Sequence, residues 1–327
     1  MRRVAIASIL LILVVAFGIL FWAGARFKAP GPPARNGQQS IVLIRPGTGG
    51  AGIARTLEAA GVISSPTLFE FEVRLKGEGA ELKAGEYAIP SGASMAEIAA
   101  ILISGKVVEH KLTIPEGFTS QMAFNVVKAN KVLVGKPGAV PPEGSLLPDT
   151  YLFTRGTTRA QLLTRMHRAQ LRFLAKVWPK RAPGLPLKTA QEAVILASIV
   201  EKETALPPER PHVAAVFENR LRLGMKLQSD PTIIYGITKG YALGHPILES
   251  ELSAATPYNT YVINGLPPTP ICNPGRASIL AVLHPLKSKD LYFVADGQGG
   301  HVFAATIAQQ DRNVARWRQI QKAERHR

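Results

Sequence analysis

Two glutamates, Glu201 and Glu203, flank Lys202 in the segment LASIVEKETALPPERP at residues 196–211. A carboxyl group at the end of an apolar helical run can act as a general acid if its surroundings hold it protonated near neutral pH. At about 100° per residue the two side chains lie about 200° apart around a helix, so a cleft on one face can use only one of them. Glu203 follows Leu196, Ile199 and Val200 by seven, four and three residues, an apolar neighbourhood that disfavours the charged form. Its place near the negative end of the helix dipole acts in the same direction. Both effects favour Glu203 without excluding Glu201, and the segment alone also fits a solvated helix end.

Other routes to chemistry are closed. There is no G-x-S-x-G elbow, no P-loop and no H-E-x-x-H pair, and GTGGAG at residues 47–52 lacks the Lys-Ser/Thr and the βαβ setting of a nucleotide loop. His212, His245, His284 and His301 match no metal-ligand spacing, so neither a metal nor a cofactor is expected. The single cysteine, Cys272, excludes an intramolecular disulfide.

The elements that must position these glutamates follow from periodicity. Residues 187–205 predict a helix that Pro207 stops, placing Glu201 and Glu203 in its last turns, and residues 208–223 predict a second helix ended by Gly224. From 228 to 275 the chain turns Pro-, Gly-, Asn- and Tyr-rich, a long loop region of the kind that carries function, before the strand DLYFVA. A basic amphipathic helix is expected near 158–177. Upstream, residues 41–110 read as strand, helix, helix, strand, helix, with Ser94 and Glu97 spaced as a helix cap. A further strand and helix occupy HKLTIPEGFTSQMAFNVVKAN.

The N-terminus adds an uncharged run at residues 4–25, about 33 Å long as a helix and enough to span a bilayer. Its length exceeds that of an ordinary cleaved signal segment, although Ala23-Gly24-Ala25 resembles a cleavage site. APGPPARNGQQ at 29–39 then reads as a tether. With 39 Lys and Arg against 23 Asp and Glu, the formal charge of +16 favours an anionic partner. The basic residues form no stripe with aromatics, and no nucleic-acid motif appears, so nucleic acid is not the expected partner.

LASIVEKET, FENRLRLGMKLQSDPTIIYG, TPYNTY, GLPPTPICNPG and LYFVADGQGGHVF occur in that order. Together they resemble the membrane-bound endolytic murein transglycosylases, the MltG or YceG-like family. LKAGEYAIPSGASMAEIAAILISGK resembles that family's LysM-like module, and PEGSLLPDTYLF its E-G-x-x-x-P-D-T-Y segment. The resemblance implies an α+β chain with an N-terminal transmembrane helix, a small LysM-like α+β module and a larger mixed α+β catalytic domain. Its segments are 1–28 stub and anchor, 29–40 linker, 41–110 LysM-like module, 111–155 connecting segment, 156–320 catalytic domain and 321–327 basic tail.

The resemblance also implies Glu203 as the catalytic acid/base and Gln228, Asp230, Tyr235, Tyr258 and Asn259 as substrate contacts. Ser229-Asp230-Pro231 equally reads as a turn or a helix start. The implied partner is the peptidoglycan glycan strand, with peptidoglycan synthases (penicillin-binding proteins) as further candidates. The implied place is the inner (cytoplasmic) membrane, single-pass, with the C-terminal domains in the periplasm or extracytoplasmic space. An anchored, non-catalytic peptidoglycan-binding scaffold and a muramidase-type hydrolase are the alternatives.

Overall fold

The computed structural model describes residues 2–325, which form a mixed α+β chain of two compact units. One unit comprises residues 1–110 and 152–156, and the other residues 111–151 and 157–327.

The first unit opens with helix α1 (Arg2–Lys28). Its stretch Ile6–Lys28, with a mean hydropathy of 2.8, is the one helix among the described residues long and apolar enough to cross a membrane. Most of that stretch is exposed, as a lipid-facing helix requires, but Ala23 and Phe27 near its end are buried. Strand β1 (Gln39–Ile44) pairs antiparallel with β2 (Gly85–Pro90), Val42 facing Tyr87. Helices α2 (Gly50–Ala59), α3 (Pro66–Leu75) and α4 (Met95–Ser104) complete the unit. Ile44, Leu57, Phe69, Tyr87, Ile98 and Leu102 form its core together with Phe27. The cap read from sequence forms: Ser94 accepts from the Glu97 amide, and the Glu97 carboxylate accepts from the Ser94 amide.

Residues 29–38, read from sequence as a tether, are fastened to this unit. The Gly31 amide donates to the Gly92 carbonyl and the Gly92 amide to the Pro32 carbonyl. A Cβ on Gly31 would lie 2.2 Å from the Ala93 carbonyl oxygen, so only glycine allows this approach. Composition identified a segment without a hydrophobic stripe, but its backbone partners are distant in sequence and leave no local pattern.

Strand β3 (Glu109–Thr113) carries the chain into the second unit. There follow α5 (Ser120–Ala129), β4 (Thr150–Thr154), whose last three residues belong to the first unit, and then α6 (Arg159–Val177) and α7 (Ala190–Glu203). A one-turn 3-10 segment, Pro207–Glu209, leads from α7 to α8 (Arg210–Arg222). Leu196, Ile199 and Val200 of α7 and Val213 and Phe217 of α8 are buried in the core of this unit.

The span 228–275, expected as loop, contains two helices, α9 (Asp230–Thr238) and α10 (Glu249–Ser253). Asp230 and Pro231 start α9, the helix-start reading of that tripeptide, and left-handed Lys239 and Gly240 end it. Two helices had no sequence expectation. In α11 (Arg276–Leu283) the last six residues are apolar but for Ser278, a run too short for periodicity to separate helix from strand, and α12 (Ile307–Arg325) is mostly polar, with Val314, Trp317 and Ile320 forming a narrow apolar stripe. Strands β5 (Tyr292–Ala295) and β6 (His301–Ala304) form an antiparallel hairpin in LYFVADGQGGHVF. The basic tail placed at 321–327 is a continuation of α12 as far as 325, its last two residues lying outside the described ones.

Candidate active site

The two glutamates of the E-K-E segment have different surroundings. Glu201 is buried, and both its carboxylate oxygens are engaged. Oε1 accepts from Arg210 Nη2 at 3.1 Å, while Oε2 accepts from the Gly275 amide at 2.9 Å and from Ser278 Oγ at 2.7 Å. This carboxylate joins α7 to α8 and α11. Glu203, on the last residue of α7, faces a cavity of about 200 Å³ lined also by Arg220, Leu227, Gln228, Asp230, Tyr261 and Phe293.

Glu203 Oε1 accepts a hydrogen bond from the buried Ser229 hydroxyl, and Oε2 has no hydrogen-bond partner among the described residues. Burial pushes the Glu203 carboxyl up to about 7; the Asp230 charge pushes the same way, against the Ser229 hydrogen bond and the charges of His301 and Arg220. A carboxyl in this state is protonated in a large fraction of molecules near neutral pH and can both give and take a proton. With Ser229 donating to Oε1, the acidic proton of the neutral form belongs on Oε2.

Arg220 forms the rigid side of the cavity. Its Nε donates to the Leu291 carbonyl at 2.6 Å, and its Nη1 to the carbonyl of Leu227 at 2.9 Å and to Gln228 Oε1 at 3.1 Å. Its Nη2 makes no hydrogen bond to the described residues. Gln228 has φ 54°, a left-handed conformation that is strained for a residue with a Cβ. The Gln228 amide donates to the Thr260 carbonyl at 3.1 Å and the Ser229 amide to Thr260 Oγ1 at 2.9 Å. Those bonds hold Ser229 under Glu203.

Across the cavity, Tyr261 Oη donates to Asp230 Oδ1 at 2.6 Å. The hairpin is tied in by Glu209, whose Oε1 accepts from the His301 amide at 2.9 Å and whose Oε2 pairs with His301 Nδ1 at 2.7 Å.

The cavity therefore brings together Glu203, Gln228 and Asp230 of the residues expected from sequence. It does not include Tyr235, Tyr258 or Asn259. Tyr235 donates to Glu143 Oε2 at 3.2 Å and meets the Tyr258 ring edge-on at 5.0 Å, with Tyr258 Oη 2.8 Å from Thr269 Oγ1 and Lys239 Nζ over both rings. Asn259 is 1% exposed. Its Nδ2 donates to the carbonyls of Glu251, Leu252 and Ala254, and its Oδ1 accepts from the Tyr261 amide. These bonds hold α10 and the Tyr261 backbone in place.

Sequence reasoning missed Ser229, Arg220, Tyr261 and Phe293. Ser229 adjoins Asp230 and Tyr261 lies in TPYNTY, so both stood within segments already singled out. Cys272, by contrast, is buried with its thiol pushed well up by burial, and Sγ lies 3.4 Å from the Ser198 carbonyl. It packs as a small apolar side chain.

A family model described as the YceG-like family matches residues 42–316. The chain belongs to the YceG-like family. Similar proteins include an endolytic murein transglycosylase of Bacillus subtilis strain 168, 28% identical over 302 residues that cover 83% of this chain and 82% of that protein. Another is an endolytic murein transglycosylase of Streptococcus pneumoniae D39, 31% identical over 80% of this chain. The chain spans only about half of that streptococcal protein, 55% of its length. Among solved structures, a YceG-like protein of Listeria monocytogenes matches with a TM-score of 0.51 and 31% identity, over 85% of this chain and 99% of that one. The family match spans parts of both units and includes every residue lining the Glu203 cavity, but it begins after the apolar helix.

Proposed function

We propose that this YceG-like protein is an endolytic murein transglycosylase. It cleaves the β-1,4 bond between N-acetylmuramic acid and N-acetylglucosamine within a peptidoglycan strand and leaves a 1,6-anhydro-muramyl end. The observation that carries the reading is Glu203: a single carboxyl group, held near a pKa of about 7, with one oxygen bonded to Ser229 and the other free in a cavity.

In this reading Glu203 Oε2 gives its proton to the glycosidic oxygen, and the C1–O bond breaks with its electron pair going to that oxygen. The muramyl C6 hydroxyl then attacks C1 of the same sugar, and its proton returns to Glu203. The nucleophile is part of the substrate, so neither a positioned water nor an enzyme nucleophile is needed. Gln228 and Asp230 contact the glycan in the cavity, and Tyr258, backed by the buried Tyr235, presents an aromatic face to it farther along. Asn259 contributes by holding Tyr261.

The relatives named as endolytic murein transglycosylases support the same reaction over a scaffold or a hydrolase. The rest of the reading divides the chain as expected from sequence. Residues 41–110 act as a LysM-like glycan-binding module, 111–155 connect it and 156–320 carry catalysis. The apolar helix anchors the chain in the cytoplasmic membrane with these parts on the outer side, where synthases are candidate partners. The test is mass spectrometry of products from a defined glycan strand. An anhydro end is about 18 Da lighter than a hydrolysed one, because no water enters. Reducing muramyl ends would reject transglycosylation, and anhydro ends released by Glu203→Gln would reject the assignment of that residue.

A further inference from the structure

We infer that Asp230 is a second catalytic carboxylate of this cavity, placed to stabilise the positive charge that develops on the muramyl ring, with Tyr261 as its positioning residue. The inference rests on the transglycosylase reading of Glu203 and extends it from proton transfer to charge stabilisation.

Asp230 and Glu203 line the same small cavity, yet their surroundings differ. Glu203 is enclosed, whereas Asp230 is exposed at the first residue of α9, next to the amide groups of a helix N-terminus. Tyr261 Oη fixes Asp230 Oδ1 at 2.6 Å, and Oδ2 has no hydrogen-bond partner among the described residues. Among the described residues no Lys, Arg or His forms a salt bridge with Asp230, in a chain with a formal charge of +16. A carboxylate without a cationic partner, aimed by a phenol into a cavity, has its charge available for whatever enters. An enclosed carboxyl that carries the proton and a solvent-open carboxylate in the same cavity can divide acid and electrostatic roles between them. The Asp230 charge also helps keep Glu203 protonated, so the two roles reinforce each other.

The chemistry can use such a group. As the C1–O bond breaks, its electrons leave with the glycosidic oxygen and positive charge spreads over C1 and the ring oxygen. A fixed anion beside that charge lowers the barrier and needs no covalent bond to the sugar. When the C6 oxygen closes on C1 the ring charge is neutralised, the C6 proton passes to Glu203, and Asp230 is unchanged.

Asparagine in place of Asp230 keeps the shape and an oxygen for Tyr261 but removes the charge. For the full-length protein on a defined glycan strand, Asp230→Asn is expected to lower kcat by about 100-fold or more, in the range found for single electrostatic stabilisers. KM should stay within about 3-fold, since the lost interaction belongs to the transition state. The alkaline limb of the pH profile should move to lower pH, because the charge that raises the Glu203 pKa is gone. Tyr261→Phe should lower kcat by about 10-fold with KM nearly unchanged. Asp230→Glu, which retains the charge, should keep more activity than Asp230→Asn and guards against a loss due to misfolding. A raised KM with kcat intact would overturn the inference and leave Asp230 as a sugar-binding residue, as would an Asp230→Glu protein no better than Asp230→Asn. If the wild-type protein makes no anhydro ends, the reaction itself is wrong, a result distinct from either outcome.

Discussion

Glu201 and Glu203 are two residues apart on α7, and the first has both oxygens bound by Arg210, Gly275 and Ser278 while the second has one oxygen free in a cavity. Their substitutions should therefore separate. Glu203→Gln should abolish product formation with thermal unfolding at neutral pH close to that of the wild type. Glu201→Ala leaves Arg210 without its nearest carboxylate and two donors unpaired, and should destabilise the protein by about 3 kcal/mol. Thermal melts and product analysis on both variants check this pair, and the expectation is wrong if Glu201→Ala melts like the wild type.

Glu203 also predicts a pH dependence of stability. Its ordinary value is 4.5 and its folded value about 7, so between these the folded state binds more protons than the unfolded one. The stability it contributes is fully present below 4.5 and is lost as pH rises through about 7. Glu218, buried and likewise pushed up to about 7, gives a slope of the same sign, so a wild-type melt alone cannot isolate Glu203. The melting temperature of Glu203→Gln minus that of the wild type should rise between about pH 5 and pH 8. A difference that stays flat across that range would show that Glu203 titrates in its ordinary range.

Ser229→Ala removes the hydrogen bond that favours the Glu203 carboxylate. The alkaline limb of the activity profile should then move up by about one pH unit. A downward shift, or none, would mean that the hydroxyl does not bear on the acid. This is opposite in sign to the shift expected for Asp230→Asn, so the two variants check each other.

These residues differ in how far sequence reveals them. The enclosed setting of Glu203 was partly legible because its determinants are local, with apolar residues three, four and seven back and a helix ending just before Pro207, although the choice over Glu201 drew on the family resemblance. The caps at Ser94 and Thr158 belong to the same class, although only the first was read. Arg220 was invisible because its acceptors are carbonyls of Leu291 and Leu227, which no side-chain pattern encodes. Asn259 shows the converse. Its residue type suggested sugar binding, but the fold surrounds it with carbonyls of α10 and its flank.

Asn259→Ala should accordingly act through structure. Losing an NH2 group shared among three carbonyls and one accepted bond in a buried site should destabilise the protein by about 2 kcal/mol. Activity should fall through the displaced Tyr261 backbone. A variant with wild-type stability and a raised KM would instead make Asn259 a substrate contact.

Phe27 gives the apolar N-terminal helix a second task. It is 1% exposed, its ring lies 6.2 Å from that of Phe69, and Lys76 Nζ sits 4.3 Å from its centroid. The end of the helix is thus part of the core formed by Leu57, Phe69 and Ile98. Phe27→Ala in the detergent-solubilised full-length protein should destabilise the first unit by about 3 kcal/mol or more. A soluble form beginning at residue 29 should show the same loss, and one beginning at residue 22 should recover most of it. Equal melting of the two soluble forms would mean that the helix end anchors the chain without supporting the unit.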